Sequence, residues 1–193
     1  TEIYLNMEKH SNRMEHIIND LLMLSHLEHN DDNPLQTQPI NIGTLITETI
    51  NDLQPMISSK QHTLSIQADD QLTLDASPEE IKSLLTNLIM NAIKYTPNNG
   101  HIQVTWAMSN QAKVLSVTDN GIGIAAKHLP RLTERFYRAD KARSRDQGGT
   151  GLGLAIVKHV LIRHQGTLDI QSNIDAGSVF TCLFYEKCTY PQN

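Results

Sequence analysis

The sequence predicts an α/β (α+β) fold: one long helix, then a domain in which short strands alternate with helices. Three observations predict it. Near the start, Met7, Met14 and Leu21 recur at heptad spacing, with His10, Ile17 and Leu24 offset from them by three. Ser77-Pro78-Glu79-Glu80 has the composition of a capping box with proline at the first helical position. Ile102 to Met108 and Ala112 to Asp119 are spaced as two strands of a hairpin.

In chain order, Ile3 to His29 is the heptad helix, whose seam needs a partner helix because a lone amphipathic helix cannot bury it. Asn30 to Pro39 is a polar linker, and Asn41 caps a helix running to Lys60 in which Pro55 marks a kink or an early end. His62 to Ala68 and Leu72 to Asp75 are short strands. The helix after Ser77 runs to Tyr95 and stops before Thr96-Pro97, because the residue before a proline avoids helical geometry. Asn98-Asn99-Gly100 turns into the hairpin, and a glycine- and charge-rich span, Gly121 to Gly149, follows it. A helix from Gly151 to His164 and strands at Thr167 to Gln171 and Ser178 to Tyr185 complete the pattern. The expected division is 1–30 for the helix, 31–40 for the linker, 41–187 for the domain and 188–193 for a tail.

Composition narrows the function. The 193 residues, 39% of them hydrophobic, suffice for one main core. A net charge of −5 argues against a protein that coats nucleic-acid phosphates with lysine and arginine. Cys182 and Cys188 are too few for a disulfide framework and form no metal-ligand pair, which fits a reducing, cytoplasmic setting. No apolar run approaches the roughly 20 residues of a membrane span, so no membrane contact is expected of this segment, although it suits a piece of an anchored protein.

Three clusters carry chemistry. Asn87, Asn91 and Lys94 lie at i, i+4 and i+7 on one helix, beside the apolar stripe of Ile81, Leu84, Leu85, Leu88, Ala92 and Tyr95. An amide oxygen is a hard ligand for Mg²⁺ and a lysine meets phosphate, but a solvated face has the same look. Asp119 shares the inward side of its strand with Leu115 and Val117, and Asn120-Gly121-Ile122-Gly123 follows it; alone, this is good turn chemistry. Gly148-Gly149-Thr150-Gly151-Leu152-Gly153-Leu154 opens a helix whose free N–H groups attract anions, without the pattern of a dinucleotide fingerprint or a P-loop. Before it stand Arg131, Arg135, Arg138, Lys141, Arg143 and Arg145, so Gly121 to Gly149 has the character of a cationic lid.

Together these clusters resemble a family. Asn87 to Tyr95 resembles the N box of sensor histidine kinases, Asp119 to Ile124 the G1 box, Phe136 to Asp140 the F box and Gly149 to Leu154 the G2 box, in the family's order. Residues Asn41 to Tyr185 share the likeness. The first helix, with Asp20-Leu21-Leu22-Met23-Leu24-Ser25, is similar to the second helix of the family's dimerisation hairpin. Pro130 to Arg138 and Asp140 to Arg145 look most like the phosphate-regulon branch.

The resemblance implies a two-layer sandwich, a mixed sheet backing helices that enclose ATP and Mg²⁺ beneath a lid. It implies that Asn91 holds the metal, with Asn87 beside it in the N box. Lys94 meets phosphate, Tyr95 lies against adenine and Asp119 accepts from the adenine amino group. Gly121, Gly123 and Ile124 flank the nucleotide and the lid hinge. Gly149, Thr150, Gly151, Leu152 and Gly153 form the phosphate-side loop, Arg138 and Lys141 lie near the transferring charge, and Thr181 borders the adenine. It also implies a homodimer through the hairpin and a response-regulator receiver domain as partner.

One departure matters. The family's acceptor is a histidine followed by an acidic residue, and none of the nine histidines of this sequence is followed by Asp or Glu. The expectation is therefore that the acceptor histidine, and the hairpin's first helix with it, lie outside this chain. Two other readings compete. An ATPase or serine kinase on the same nucleotide fold places a glutamate in the N-box region, where this helix offers Asn87. A non-catalytic docking module would bind no nucleotide.

Overall fold

The computed structural model describes residues 2–29, 35–110, 112–139 and 150–185. Helix α1, Glu2–His29, forms where the heptads predict it. Met7, Met14 and Leu21 of the seam are exposed, whereas Leu24 and Leu27 are buried against the following domain. Leu24 is therefore a docking residue of this helix and not an open seam position.

The expected linker ends early. Residues 38–40 belong to strand β1, Gln38–Asn41, which pairs antiparallel with β3, Thr73–Ala76, aligning Ile40 with Leu74. Asn41 then caps α2, Ile42–Ser59, its Oδ1 accepting from the Thr44 N–H at 2.9 Å. Pro55 does not end α2. It lies on the exposed side, while Leu53 and Ile57 hold the same turn in the core.

Helix α3, Pro78–Tyr95, starts at Ser77 as expected, with Ser77 Oγ accepting from the Glu80 N–H at 3.4 Å. The reciprocal half of the capping box is replaced. The Ser77 N–H donates to His164 Nε2 at 3.1 Å, and the Glu80 carboxylate pairs with Arg163 at 3.2 Å. Both partners end helix α4, Gly153–Arg163, so the start of α3 is tied to the end of α4.

The main sheet has five strands in the order β2-β4-β5-β7-β6: Thr63–Ala68, His101–Ser109, Ala112–Asp119, Ser178–Tyr185 and Gly166–Ser172. Only the β2–β4 pairing is parallel. Alternation puts Ile102, Val104, Trp106, Leu115, Val117, Phe180, Cys182 and Phe184 on the face that packs against Ile81, Leu84, Leu85 and Leu88 of α3 and Ile156, Val157 and Val160 of α4. The result is the expected two-layer sandwich of a mixed sheet and helices. Trp106 closes one end of the core, its Nε1–H donating to the Leu72 carbonyl at 3.0 Å. Burial pushes the Cys182 thiol up to about 12, which leaves it unreactive. Cys188 and the tail 188–193 lie outside the described residues, as do linker residues 31–34. No helix among the described residues is long and apolar enough to cross a membrane.

The helix-end tie titrates. His164 donates from Nδ1 to the Val160 carbonyl at 2.9 Å and accepts at Nε2, so it is neutral; burial holds its pKa below the ordinary 6.5, despite the nearby Glu80 carboxylate. A group whose folded-state pKa is lowered contributes stability that is present above the unfolded value and lost as pH falls past it towards the folded value. Urea unfolding of the wild type should therefore show stability declining from pH 7.5 to pH 5. Relative to it, His164→Gln should be destabilised most at pH 7.5 and least at pH 5. A gap between the two proteins that does not change with pH would rule out this contribution.

Candidate functional site

The site forms where the C-terminal end of β5, the C-terminal end of α3 and the start of α4 converge. Asp119 ends β5 and is 6% exposed. Burial raises its carboxyl pKa, countered in part by backbone N–H bonds from Gly121, at 2.8 Å to Oδ1, and from Ser178. A Cβ at Gly121 would fall 2.5 Å from the Tyr95 carbonyl and 2.7 Å from Asp119 Oδ1, so only glycine fits between them. The next N–H, of Ile122, donates to the Tyr95 carbonyl at 3.2 Å. The Asp119 turn and the end of α3 are thereby joined, with Tyr95, 39% exposed, beside them.

Gly123 and Ile124 are anchored from the other side. Gly123 has φ +65° and leaves room for the Asn173 carbonyl, while the Ile124 N–H donates to Ser172 Oγ at 2.8 Å. Thr181 is not at the site. Pairing aligns it with Ser116, on the opposite face of the sheet from Asp119, because side chains alternate along the strand. The β7 residue across from Asp119 is Ser178, which reasoning from sequence misses. Its only signal is the register of β7 against β5, which becomes decisive once the strands are paired.

At the start of α4, Gly151 has φ +76° and lies against the Phe136 backbone, whose N–H donates to the Gly151 carbonyl at 2.9 Å. Leu152 is fully buried, so only its backbone faces the site; its N–H donates to Thr150 Oγ1 at 3.1 Å. A Cβ at Gly153 would fall 2.4 Å from Asn87 Oδ1, and Asn87 Nδ2 donates to the Ser83 carbonyl at 3.0 Å. Asn87 thus packs α3 against α4. Asn91 and Lys94 continue its stripe along α3 and are both half-buried.

The charges gather at the same end. Burial lowers the Lys94 pKa, opposed by the Asp20 carboxylate of α1 and reinforced by Arg138. Arg138 Nη2 is buried and has no hydrogen-bond partner among the described residues. Asp20 also accepts from the Thr150 hydroxyl at 2.8 Å. A buried guanidinium N–H without an acceptor, next to a desolvated ammonium, suits an anion. Among the described residues no three His, Cys, Asp or Glu side chains cluster as a metal site. The half-buried Asn91 offers an amide oxygen, a donor of the kind that ligates hard cations.

Other expected cations are engaged elsewhere: Arg131 pairs with Glu134 at 2.9 Å and stacks over Tyr137, and Arg135 pairs with Glu28 of α1. Lys141, Arg143, Arg145 and Gly149 lie outside the described residues. A groove of about 460 Å³ between Leu129, Lys158, Ile162 and Leu168 shares no residue with this cluster, so burial and charge identify the site and volume does not.

Known proteins resemble this chain in sequence and in fold. The profile described as histidine kinase-, DNA gyrase B-, and HSP90-like ATPase matches residues 76–187. The chain is similar to the phosphate regulon sensor protein PhoR of Pseudomonas aeruginosa, 47% identical over 178 residues, covering 92% of this chain and 40% of that protein. It is 33% identical to the Haemophilus influenzae protein of the same name, over 97% of this chain and 43% of that one. The chain therefore spans less than half the length of these relatives. The solved catalytic domain of histidine kinase ThkA superposes with a TM-score of 0.69 at 25% identity, covering 78% of this chain and 96% of that one.

The close approach at Gly121 is directly testable. Gly121→Ala should destabilise the fold by about 1–3 kcal/mol, since the new methyl must push backbone apart. Chemical denaturation showing wild-type stability would mean that the turn moves freely.

Proposed function

The chain belongs to the histidine kinase-, DNA gyrase B- and HSP90-like ATPase family, and from that premise we propose that it is the ATP-binding catalytic module of a sensor histidine kinase of the phosphate-regulon type. One observation carries the reading: a buried acceptor, Asp119, and a buried donor, Arg138 Nη2, that has no acceptor among the described residues stand at the two ends of one site. Adenine offers an amino donor to the first, and the phosphates offer oxygens to the second.

In this reading the Asp119 carboxylate accepts from the adenine amino group, and Tyr95 covers the ring. Gly121 lets the base approach the backbone, and Gly123 and Ile124 fix the hinge of the lid. Lys94, Arg138, Lys141 and the loop from Gly149 to Gly153 surround the phosphates. Arg138 stabilises charge on the transferring group. Asn91 would hold Mg²⁺, which when bound would neutralise phosphate charge. Asn87 supports that arrangement by holding α3 to α4.

The γ-phosphoryl group goes to a histidine that is not one of the nine in this sequence, and from there to an aspartate on a response-regulator receiver domain. In the whole protein the seam of Met7, Met14 and Leu21 forms a homodimeric hairpin bundle, and this segment is the cytoplasmic part of a membrane sensor. The division follows: a hairpin helix over 1–30, a linker that ends before strand β1 at Gln38, the catalytic domain from β1 to residue 187 and a tail.

Titration with a non-hydrolysable ATP analogue, with and without Mg²⁺, tests the reading. Tight binding that strengthens with Mg²⁺ is expected. Asp119→Asn should cost about 1–3 kcal/mol of affinity, because the amide can present a donor to a donor. Asn91→Asp should leave folding intact and alter the Mg²⁺ dependence. Absence of nucleotide binding by the folded wild type would overturn the reading.

Incubation with γ-labelled ATP should leave no acid-labile, base-stable label on this chain, because transfer needs a positioned nucleophile as well as a donor. Such label would show that one of its nine histidines is the acceptor.

A further inference from the structure

An α-helix ends with four carbonyls that its own N–H groups cannot reach. In α3 these belong to Ala92, Ile93, Lys94 and Tyr95, and each has an identified partner. Ala92 accepts from the Thr96 N–H at 3.0 Å and Tyr95 from the Ile122 N–H at 3.2 Å. The other two both accept from one side chain, Lys60, at the end of α2: its Nζ lies 2.7 Å from the Ile93 carbonyl and 2.9 Å from that of Lys94. A third bond, 3.1 Å, goes to the Thr96 carbonyl just past the helix. An ammonium has three N–H donors, so Lys60 is fully engaged. Its charge also faces the negative end of the helix dipole.

The surrounding segment is knitted to the same place. His62 Nε2 lies 3.2 Å from the Thr96 carbonyl and 3.1 Å from that of Pro97. The Asn99 N–H donates to the Lys60 carbonyl at 2.9 Å, and the Thr63 N–H to that of Gly100, also at 2.9 Å. The carbonyls that Lys60 holds belong to the turn bearing Lys94 and Tyr95. The next carbonyl along is the one that fastens the Asp119 turn through Ile122.

We propose that Lys60 is a positioning residue of the nucleotide site: by gathering the terminal carbonyls of α3 on one ammonium, it sets Lys94, Tyr95 and the Asp119 turn in the register that ATP requires. The inference rests on the nucleotide reading above. Lys60 touches no ligand and acts through α3. A surface lysine would leave these carbonyls to water and let the last turn of α3 fray, carrying Lys94 and the Ile122 bond with it.

The test compares wild type, Lys60→Met and Lys60→Arg in the whole chain, at a temperature where each is folded by circular dichroism. Binding of the non-hydrolysable ATP analogue with Mg²⁺ is read by calorimetry, and amide exchange at Ile122 by NMR. Lys60→Met should weaken binding about tenfold, the order expected when a well-placed polar contact to the ligand is lost. Exchange at Ile122 should accelerate relative to the core amides of β5. Lys60→Arg, which keeps charge and donors, should recover most of both.

A merely structural role would lower the melting temperature and leave affinity and the relative exchange of Ile122 unchanged. That result overturns the proposal. If Lys60→Met does not fold, Lys60→Gln replaces it, with the same two readouts deciding. Failure of the wild type itself to bind would overturn the nucleotide reading, and this inference with it.

Discussion

Burial of the Asp119 carboxylate at the end of the central strand is the constraint around which the rest of the domain is arranged. A desolvated carboxylate is costly unless donors meet it, and the two donors it has are backbone N–H groups, from Gly121 and Ser178. Each comes from a segment that only a special backbone can place. Gly121 must lack a side chain because the Tyr95 carbonyl occupies that space, and Gly177, with φ +82°, must lack one because the Asp119 carbonyl does. The β5–β7 pairing that sets Ser178 against Asp119 thus also fixes the turn between β6 and β7, which in turn holds Gly123 and Ile124. One buried acid accounts for the close approach of three chain segments.

The opposite end of the site is built by contact between helices. Asn87 Oδ1 lies where a side chain on Gly153 would be, and Glu80 with Arg163, and Ser77 with His164, tie the far ends of the same two helices. These contacts hold α4 to α3 at both ends of α4, with its first turn against the middle of α3 at Asn87. Two cations, Lys94 and Arg138, remain close despite mutual repulsion. Asp20 offsets part of that repulsion in this structure, and phosphate oxygens would offset more of it.

Much of this was legible in the sequence because it depends on local rules. Alternation placed Asp119 inward, the helical repeat placed Asn87, Asn91 and Lys94 in a line, and Ser77-Pro78 announced α3. What was not legible depends on distant pairing. Thr181 and Ser178 are three residues apart on one strand, and only the register with β5 decides which of them faces Asp119. Glu80 satisfied the capping pattern but found Arg163, 83 residues away, and His164 took the free N–H of Ser77. Nothing local marks Lys60 as a partner of α3, because the carbonyls it holds lie 33 to 36 residues further on. Pro55 obeyed its local rule less than its neighbours' burial, so α2 ran through it.

The first helix carries two faces with different obligations. Asp20, Leu24 and Leu27 lie on one side, where Asp20 bonds Thr150 and the two leucines enter the core of the domain. Met7, Met14, Ile18, Leu21 and Leu22 lie on the adjoining side and are exposed. Helical geometry, at about 100° per residue, keeps these stripes distinct, so a partner helix on the exposed face does not have to displace the domain from the other. The heptad pattern alone had placed Leu24 with Ile17 in a single seam. Docking divides that seam, because a leucine offset by three from Leu21 stands far enough round the helix to reach α4 while Leu21 does not. The same rotation brings Asp20 to Thr150, so the packing that buries Leu24 and Leu27 also sets an acid beside the cations of the site.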